Sequence, residues 1–428
     1  MTANRFVQIA IVGGGPAGLA AALHIVQKSP ELAREIVVFE AAEHPRPKIC
    51  GGGVTFHGEE QLRRLGIRLD VPAVHIQNLV FQLGERSFQT PCQDAMRIVQ
   101  RAEFDAALAR AVVDRGVTIQ GGEKLLDLSY CDDGLLLITG RGRYHARVLV
   151  AADGANSTVR RKLALRSRLG VARLLRVVRP VDAATSSIWE NGTALFDFSC
   201  VAEGIQGYMW DFPSLINGKP HVNHGIFDSR FDGGARQTLP HGQLKRVFAA
   251  YLRRRKVDLD AVPLQGHPVR WFHPEAEFSR PHVLLTGDAA GVDPLFAEGI
   301  SYALEYGVIV AEAIRDALLA NDFTFRDYRA RLLRHSLSRS LLRRSAIARH
   351  LYRYQYPWLW DWLWRAAAIA PAAFNQAVGG ALDVLPPVRP GWSLAQSLGV
   401  NQPSPKESKR EMAVRPGLPS VRHPRSDL

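Results

Sequence analysis

The sequence predicts an α/β protein, with a Rossmann-like domain, an inserted mixed β-sheet domain and a helical C-terminal part. Two observations support this fold class. An apolar strand near the N-terminus runs into a glycine-rich turn and a helix, IAIVGGGPAGLA at 9–20. Two later apolar strands, within 147–163 and 282–307, each end in an aspartate beside a glycine. Strands that alternate with helices favour a parallel sheet that binds its ligand at the carboxyl ends of the strands.

The first glycine turn has the form G-x-G-x-x-G, with Gly13, Gly15 and Gly18. In such turns the first glycine permits the sharp bend, the second admits a pyrophosphate, and the third lets the helix pack on the strand. The helix N-terminus, at Pro16, offers free N–H groups to phosphates. The next strand, EIVVFE, ends at Glu40, where a carboxylate can accept hydrogen bonds from ribose hydroxyls. We therefore expect a dinucleotide with a free ribose diol, FAD or NAD rather than NADP.

Two aspartates follow the later strands. RVLVAADGANSTVRRKL carries Asp153, and HVLLTGDAAGVDPLFAEGISYALEYG carries Asp288 and leads into a helix from near Gly299. Both acids fall at the carboxyl end of a strand, where open α/β sheets bind ligands. For Asp153 two roles stay open, a turn-capping side chain and a cofactor ligand. For Asp288 we expect contact with the cofactor.

The order G-x-G-x-x-G, D-G and G-D resembles the FAD-dependent flavoproteins of the p-hydroxybenzoate hydroxylase fold. The resemblance implies that FAD is the cofactor and that Asp288 binds its ribityl chain. It also implies that Glu298, Gly299 and Ile300 border the flavin ring, where the helix dipole stabilises negative charge on reduced flavin. An arginine before a helix lies near the cofactor in this superfamily. Arg101 in VQRAEFDAAL is the candidate, and its alternative is an ordinary charge at a helix start.

A second glycine-rich stretch, PRPKICGGGV at 45–54, resembles the K-x-CGGG segment of the geranylgeranyl reductase family. GYMWDFPSLINGKPHVNHGIFD at 207–228 resembles the family's YxWxFP signature and the N-x-G strand after it. The match implies that Gly51 and Gly52 let the backbone lie against the flavin ring, where a Cβ would clash. Cys50 has two open interpretations, a proton donor and a small packed thiol.

Tyr208 and Trp210 alternate on a predicted strand and therefore face the same side. With Phe212, they are expected to form one wall of an apolar substrate pocket over the flavin, and ordinary sheet core is the alternative. The chain departs from the family at Ala297, where members usually have glycine. The predicted cofactor-binding residues are Gly13, Gly15, Pro16, Ala17, Gly18, Glu40, Gly51, Gly52, Arg101, Asp153, Asp288, Glu298, Gly299 and Ile300.

The implied activity is that of an FAD-dependent oxidoreductase. It would reduce C=C bonds of a prenyl substrate of the geranylgeranyl type with hydride from reduced flavin. The alternative is a monooxygenase or halogenase acting on an apolar or aromatic small molecule, because flavin-dependent halogenases carry a related W-x-W-x-I-P segment. A third hypothesis is a membrane-associated FAD-binding protein without turnover. The sequence shows no second clear G-x-G-x-x-G for a nicotinamide cofactor. Members of the resembling fold bind NADPH transiently or use ferredoxin, so the resemblance implies NAD(P)H or ferredoxin as the electron donor.

With 428 residues, the chain is too long for one small core. The stretch from about residue 400 is rich in proline, serine and charge, which is typical of disorder. The expected organisation is 1–55, 96–165 and 278–310 for a discontinuous FAD-binding domain, 56–95 and 166–277 for a substrate-binding β-sheet domain, 311–395 for a helical region and 396–428 for a disordered tail.

The formal net charge of +13 is unevenly spread, with ten arginines against two aspartates in 326–365. Four tryptophans fall in the same segment, in WLWDWLW. Arginine beside tryptophan is typical of a membrane interface, so we expect peripheral membrane contact through 326–365. The alternative is a solvated helix face and a packed apolar turn. A nucleic-acid partner is not expected, because the sequence shows no recognisable RNA or DNA module.

The four cysteines are scattered, without a CxxC pair, which argues against a disulfide framework or a zinc site. We expect no metal. The sequence shows no signal peptide and no apolar run near the ~20 residues that a membrane-spanning helix needs. The expected location is cytoplasmic, at a membrane surface if the basic segment binds one. The sequence does not indicate an oligomeric state.

Overall fold

A computed structural model describes residues 5–91, 96–166, 170–231, 243–353, 357–371 and 373–374. These residues form strands β1 Arg5–Val12, β2 Ile36–Phe39, β3 Gly53–Thr55, β4 Ala73–His75, β5 Asn78–Leu83, β6 Arg86–Pro91, β7 Met96–Val99, β8 Thr118–Gln120, β9 Leu125–Cys131, β10 Gly134–Thr139, β11 Arg143–Ala151, β12 Val171–Pro180, β13 Thr193–Asp197, β14 Gly207–Ile216, β15 Lys219–Asp228, β16 Gln265–Arg270, β17 Ser279–Arg280 and β18 Val283–Leu285.

The helices of the described residues alternate with the strands in the first half of the chain and follow one another in the last part. They are α1 Pro16–Lys28, α2 Phe56–Arg64, α3 Arg101–Val113, α4 Thr158–Lys162, α5 Ser187–Glu190, α6 Gln243–Arg254, α7 Ile300–Ala320, α8 Tyr328–Arg334, α9 Ser336–Ala348 and α10 Pro357–Ile369. Short 3₁₀ turns occupy Pro30–Glu35, Phe198–Glu203, Leu259–Ala261 and Gly287–Ala289, and a π-helical turn occupies Arg349–Arg353.

The first sheet has the order β17-β18-β11-β1-β2-β8, with β9 and β10 attached at β11. The strands from β18 to β8 run parallel. Their apolar runs are almost fully buried, as expected of a parallel sheet covered on both faces. Val12 is level with both Ala151 and Phe39 in the register. The carboxyl ends of these strands therefore lie side by side, and the turns that follow them share one edge of the sheet.

The second sheet has the order β16-β12-β15-β14-β13-β5-β6 and is mixed, because β13 and β5 pair in parallel while the other neighbours are antiparallel. Helix α6 covers one face, where Val177, Met209, Ile226 and Phe248 form a separate small core. The side chains that alternate with Met209 along β14 belong to the main core. A third, three-stranded sheet joins β3, β7 and β4.

The last described helices pack on both sheets: Tyr328 of α8 donates a hydrogen bond to Leu285 of β18 in the first sheet, and Trp364 of α10 packs on Phe88 of β6 in the second. Helix α7 lies against α1 so closely that a Cβ at Gly307 would stand 2.8 Å from the backbone of Ala20. Helices α8 to α10 follow α7 in the chain. The predicted α/β class is confirmed, while the domain boundaries stay a prediction. The predicted tail, 396–428, lies outside the described residues. Across the described part of the chain, none of the helices combines the length and apolarity that crossing a bilayer requires.

Candidate functional site

A cavity of about 560 Å³ lies between the carboxyl edge of the first sheet and one face of the second sheet. All of the predicted site residues except Gly18 line it. Gly18 instead explains the packing of α1, because a Cβ there would stand 2.0 Å from the carbonyl oxygen of Gly13. The residues predicted from seven separate stretches of the sequence are thus brought together at one cavity.

The first glycine turn forms one end of the cavity. Gly13 has a φ of +110°, and a Cβ there would stand 2.3 Å from the carbonyl oxygen of Ala152. Both facts require glycine. Within 4 Å of a Cβ at Gly15 there would be only the Arg46 guanidinium, at a distance of 3.5 Å. Helix α1 begins at the next residue, Pro16. The N-terminus of α1, which includes Ala17, therefore borders the cavity and can receive an anion.

Glu40 is held rigidly behind this turn. Its carboxylate accepts hydrogen bonds from the backbone N–H of Gly14 at 2.7 Å, from that of Ala42 at 3.2 Å, and from the Arg46 guanidinium at 3.1 Å. Arg46 also lies 3.3 Å from Asp105. Sequence reasoning missed Arg46, although it belongs to the quoted PRPK stretch. The carboxylate is fixed at the cavity wall, where ribose hydroxyls could reach it.

Arg101 is held by Asp105, one helical turn further along α3. Its Nε and Nη2 atoms each donate a hydrogen bond of 2.8 Å to this fully buried carboxylate. Burial alone would lower the pKa of Arg101, but the Asp105 charge outweighs it and raises the pKa. The side chain is 10% exposed and lines the cavity. This placement differs from that of an ordinary charge at a helix start.

Asp153 carries out the capping role that the sequence left open. Its Oδ2 atom accepts hydrogen bonds from the N–H groups of Thr158 at 2.6 Å and Val159 at 3.1 Å, at the start of α4. Its Oδ1 atom is buried and has no hydrogen-bond partner among the described residues. Burial raises the pKa of this carboxyl group. A buried acceptor at a cavity wall is costly unless a ligand supplies a donor, which a cofactor hydroxyl would do.

Asp288 is surrounded by cations. Burial raises its pKa, and the charges of Lys48, Arg101 and Arg270 oppose that rise. Sequence reasoning missed Lys48, whose Nζ atom lies 2.7 Å from Nε2 of His267. Burial lowers the pKa of Lys48, and burial together with the charge of Lys48 lowers that of His267 to about 4. This part of the cavity therefore offers one carboxylate within a cationic wall, which suits an anionic ligand that also carries hydroxyl groups.

Residues 47–52, here called the Cys50 loop, line the cavity and are tied to the second sheet. The Asn223 side-chain amide donates hydrogen bonds to the carbonyl oxygens of Cys50 at 3.0 Å and Gly51 at 3.3 Å. Arg176 donates a second one to the Cys50 carbonyl at 2.6 Å. The indole N–H of Trp210 donates to Asn223 Oδ1 at 3.2 Å, which sets the orientation of the amide. Trp210 therefore fixes the loop as well as lining the cavity.

Contacts within the protein itself explain why this loop has glycine at positions 51 and 52. Gly52 has a φ of +87°, and a Cβ there would stand 2.3 Å from the carbonyl oxygen of Val99. A Cβ at Gly51 would stand 3.2 Å from the ring of Phe212. These contacts require or favour glycine before any cofactor is considered. The expected approach of the loop to a flavin ring stays a prediction.

The far end of the cavity is apolar and aromatic. Tyr208, Trp210 and Phe212 follow one another on the same face of β14, as their alternation predicts. The Tyr208 hydroxyl donates a hydrogen bond to the carbonyl oxygen of Phe296 at 2.7 Å, which leaves its ring to the apolar wall. The other aromatic side chains of this wall are Phe81, Phe88, Phe196, Phe227 and Phe296.

Glu298 lies beside the N-terminus of α7, which starts at Ile300 with Gly299 as its N-cap. Its carboxylate accepts a 2.6 Å hydrogen bond from the Thr55 hydroxyl and pairs at 3.0 Å with Arg344. Arg344 is fully buried and also contacts Asp293 at 2.8 Å. Arg344 belongs to the basic segment 326–365, for which the sequence predicted contact with a membrane surface. This arginine lies in the core instead, because two buried carboxylates need a cation.

Ala297 occupies the position where the resembling family usually has glycine. Its φ is +55°, in the left-handed region that favours glycine. The residue lines the cavity. The chain thus accepts backbone strain of about 1 kcal/mol to place a methyl group beside the predicted flavin site.

Comparison with known proteins agrees with this geometry. A family model described as FAD binding domain matches residues 6–312. The menaquinone reductase of Mycolicibacterium smegmatis is 29% identical over 327 residues, which cover 72% of this chain and 76% of that protein. Digeranylgeranylglycerophospholipid reductase 2 of Methanosphaera stadtmanae is 28% identical over 331 residues, which cover 72% of this chain and 78% of that protein.

Two solved structures share the fold. A geranylgeranyl bacteriochlorophyll reductase-like protein from Thermoplasma acidophilum has a TM-score of 0.68 at 19% identity, covering 82% of this chain and 88% of that one. The flavin-dependent brominase Bmp2 has a TM-score of 0.66 at 18% identity, covering 95% and 100%. The predicted resemblance to geranylgeranyl reductases is confirmed, and the chain belongs to the FAD binding domain family of flavin-dependent oxidoreductases.

Proposed function

We propose that this protein reduces C=C bonds in the prenyl chain of a lipid or quinone, as an FAD-dependent oxidoreductase. The proposal rests on one observation, a single cavity with two chemically different parts. One part has a helix N-terminus, fixed carboxylates and cations, while the other is walled by aromatic side chains. The names of the relatives, reductases of menaquinone and of a geranylgeranyl lipid, support the same substrate class.

The residues present fit FAD. We assign the pyrophosphate to the turn from Gly13 to Ala17, and the ribose and ribityl hydroxyls to Glu40 and Asp288. The partnerless Oδ1 atom of Asp153 is a further acceptor for a hydroxyl group. The flavin ring is assigned to the space between the Cys50 loop and the start of α7 near Gly299. When reduced and bound, FAD supplies the hydride, and the proposed donor that reduces it is NAD(P)H or ferredoxin.

The chain's own side chains would complete the reaction. The aromatic wall excludes water and aligns the prenyl chain, so that one double bond lies beside the ring. A proton must reach the second alkene carbon. The Cys50 thiol lines the cavity, and its sulfur is 3.4 Å from the N–H of Gly52. We propose it as the proton donor, with a packed thiol as the alternative.

A monooxygenase or halogenase is the second candidate. The fold similarity to the brominase favours it, although that similarity concerns the fold alone. The two chemistries differ in the electron acceptor. A reductase passes electrons to the alkene, whereas an oxygenase or halogenase passes them to oxygen.

The deciding experiment is an anaerobic half-reaction. The purified flavoprotein is reduced chemically without oxygen, a geranylgeranyl lipid is added, and the absorbance of oxidised flavin is followed. The matched control is the fully saturated phytanyl lipid with the same head group. We expect the absorbance to return with the unsaturated lipid and not with the saturated one.

The other outcomes are equally informative. If the absorbance stays low with both lipids and returns only when oxygen is admitted, the oxygenase candidate replaces the reductase. If chemical reductants and reduced nicotinamides never bleach the flavin, the chain is an FAD-binding protein without turnover.

A further inference from the structure

Helix α10 is apolar on two opposite faces. Trp360, Trp364 and Ala367 are buried, at 5%, 7% and 1% exposure. Trp358 and Trp362, which lie on the other side at helical spacing, are 65% and 59% exposed. Most helices at a protein surface have one polar face, and a helix that is apolar all round normally meets another apolar medium.

The exposed face, defined here as Trp358, Trp362, Arg365 and Ile369, contains a single charge. These residues follow one another at intervals of three or four, so they form one stripe. Ile369 is 83% exposed. Arg365 donates a 2.6 Å hydrogen bond to Asp361, one turn before it. Two indoles and an isoleucine around an arginine have the composition of side chains that enter the boundary between lipid head groups and acyl chains.

The surrounding chain segment is cationic. Ten arginines stand against two aspartates between residues 326 and 365. Although Arg344 is buried, most of the other described arginines are in contact with solvent. Exposed cations in the same segment as exposed indoles complement an anionic bilayer surface, where each cation near the surface contributes to attraction within a Debye length. The exposed arginines are Arg326, Arg329, Arg334, Arg339, Arg343, Arg349 and Arg365.

The inner face of the same helix continues into the apolar end of the cavity. The Trp364 ring is 5.9 Å, centre to centre, from the ring of Phe88, which lines the cavity. Phe88 in turn stacks on Phe81 at 5.0 Å, and Phe81 stacks on Phe196 at 5.4 Å. One helix therefore separates the aromatic wall of the cavity from an exposed aromatic stripe.

We propose that the exposed face of α10 docks on an anionic lipid bilayer and places the apolar end of the cavity at the membrane surface. A prenyl lipid would then pass from the acyl region into the cavity beside α10 without crossing water. This inference rests on the proposed function for the identity of the cargo, while the docking itself rests on α10 alone.

The test measures binding of the FAD-loaded full-length protein to vesicles. One set contains phosphatidylcholine and phosphatidylglycerol, and the other contains phosphatidylcholine alone. The variant carries Trp358→Ser and Trp362→Ser. Its matched control carries Phe6→Ser and Leu319→Ser, which remove two apolar side chains that are 60% and 81% exposed elsewhere on the surface. All proteins are also reduced and mixed with detergent-dispersed geranylgeranyl lipid.

We expect the unaltered protein and the control to sediment with the anionic vesicles, with less binding at high salt. The tryptophan variant should bind roughly tenfold more weakly, since two indoles no longer enter the interface. It should retain the half-reaction in detergent, because the exposed face lies outside the cavity. Loss of that reaction in every protein would overturn the proposed function and leave the docking result intact.

Two results would overturn the docking proposal. The first is equal vesicle binding by the tryptophan variant and the unaltered protein. The second is that the protein binds neither vesicle type and that light scattering detects a larger oligomer, which is lost on Trp358→Ser and Trp362→Ser substitution. In that case the exposed face of α10 contacts a second copy of the chain.

Discussion

The Asn223 amide donates hydrogen bonds to two successive carbonyl oxygens, those of Cys50 at 3.0 Å and Gly51 at 3.3 Å. This contact joins a strand of the second sheet to a loop 172 residues earlier in the chain. Trp210 orients the amide through its indole N–H. The W and N positions of the YxWxFP and N-x-G segments thus act as one clamp on the Cys50 loop.

Asn223→Leu should loosen this loop. The substitution leaves the Gly51 carbonyl without its donor, while the Cys50 carbonyl keeps Arg176. It also leaves the buried indole N–H of Trp210 without its acceptor. We expect the free energy of unfolding to fall by about 1–3 kcal/mol, the cost of an unsatisfied buried polar group. FAD should dissociate faster, and its absorbance bands should shift. Urea unfolding and flavin release measure the two effects.

Trp210→Phe is the companion variant. It keeps an aromatic ring in the wall but removes the N–H that orients the amide. It should reproduce part of the spectral shift of Asn223→Leu with a smaller loss of stability. Unchanged flavin spectra in both variants would contradict the clamp.

Gly52→Ala and Gly84→Ala should separate steric clash from backbone strain. Both glycines have a positive φ, +87° and +62°. A Cβ at Gly52 would stand 2.3 Å from the Val99 carbonyl oxygen, whereas a Cβ at Gly84 meets nothing within 4 Å. Gly84→Ala should cost about 1–2 kcal/mol from strain alone.

Gly52→Ala should cost clearly more than Gly84→Ala and should also weaken FAD binding, because the clash displaces the loop. Chemical unfolding of both variants, with FAD titration, provides the comparison. Equal costs at the two positions would mean that the loop moves aside freely, and the packing argument for Gly52 would fail.

The sequence predicted those parts of the site that local patterns encode. Gly13, Glu40, Asp153 and Asp288 each follow directly on an apolar strand, and parallel strands bring their carboxyl ends to one edge. The fold class followed from the same strands. The order of the strands within the second sheet was not predictable, because a pairing such as β13 with β5 joins distant segments in a register that no local pattern specifies.

Residues that act through distant partners were missed. Arg344 is 51 residues from Asp293 in the chain, and nothing around it distinguishes it from the exposed arginines of its segment. Lys48 and His267 meet across 219 residues. Such pairs depend on how two sheets and a C-terminal helix come together, which local propensity does not encode.

Asp153→Asn should distinguish the capping role from a cofactor role. Asparagine keeps one carbonyl oxygen that can accept from Thr158 and Val159, so the stability of the protein without FAD should change by less than about 1 kcal/mol. The second atom becomes an NH₂ group, a donor in place of the partnerless acceptor. If that acceptor binds a cofactor hydroxyl, FAD affinity should fall roughly tenfold, as for one lost hydrogen bond.

The measurement for Asp153→Asn is FAD titration followed by flavin fluorescence. Asp153→Ala is the control for the cap, because it removes both oxygen atoms and should lower the stability without FAD as well. Unchanged FAD affinity in the asparagine variant would assign Asp153 to capping alone.

Arg344→Met should be strongly destabilising. The side chain is fully buried between Asp293 and Glu298, so its removal leaves two buried carboxylates without their cation. Breaking a buried ion pair by removing one partner costs about 3–5 kcal/mol. Arg339→Met, on the exposed side of the same helix, should change stability by about 0.5 kcal/mol or less. Thermal and urea unfolding of both variants test this, and similar values for the two would contradict the core position of Arg344.

His57 provides a pH-dependent contribution to stability. Its Nε2 atom lies 2.9 Å from Glu305, which His335 also approaches at 3.4 Å. Burial alone would lower the pKa of His57, but the hydrogen bond and charge of Glu305 outweigh it, and the pKa is raised above its ordinary value of 6.5. Glu298 adds to this rise, while Arg344 opposes it.

A raised pKa in the folded state means that the imidazolium stabilises the fold below pH 6.5, and that this stabilisation disappears as the pH rises through the folded-state pKa. His57→Gln should therefore cost about 1–3 kcal/mol near pH 6 and clearly less near pH 9. Urea unfolding at both pH values gives the difference. In a Glu305→Gln background the His57 substitution should lose this pH dependence, and a dependence that persists there would assign it to another group.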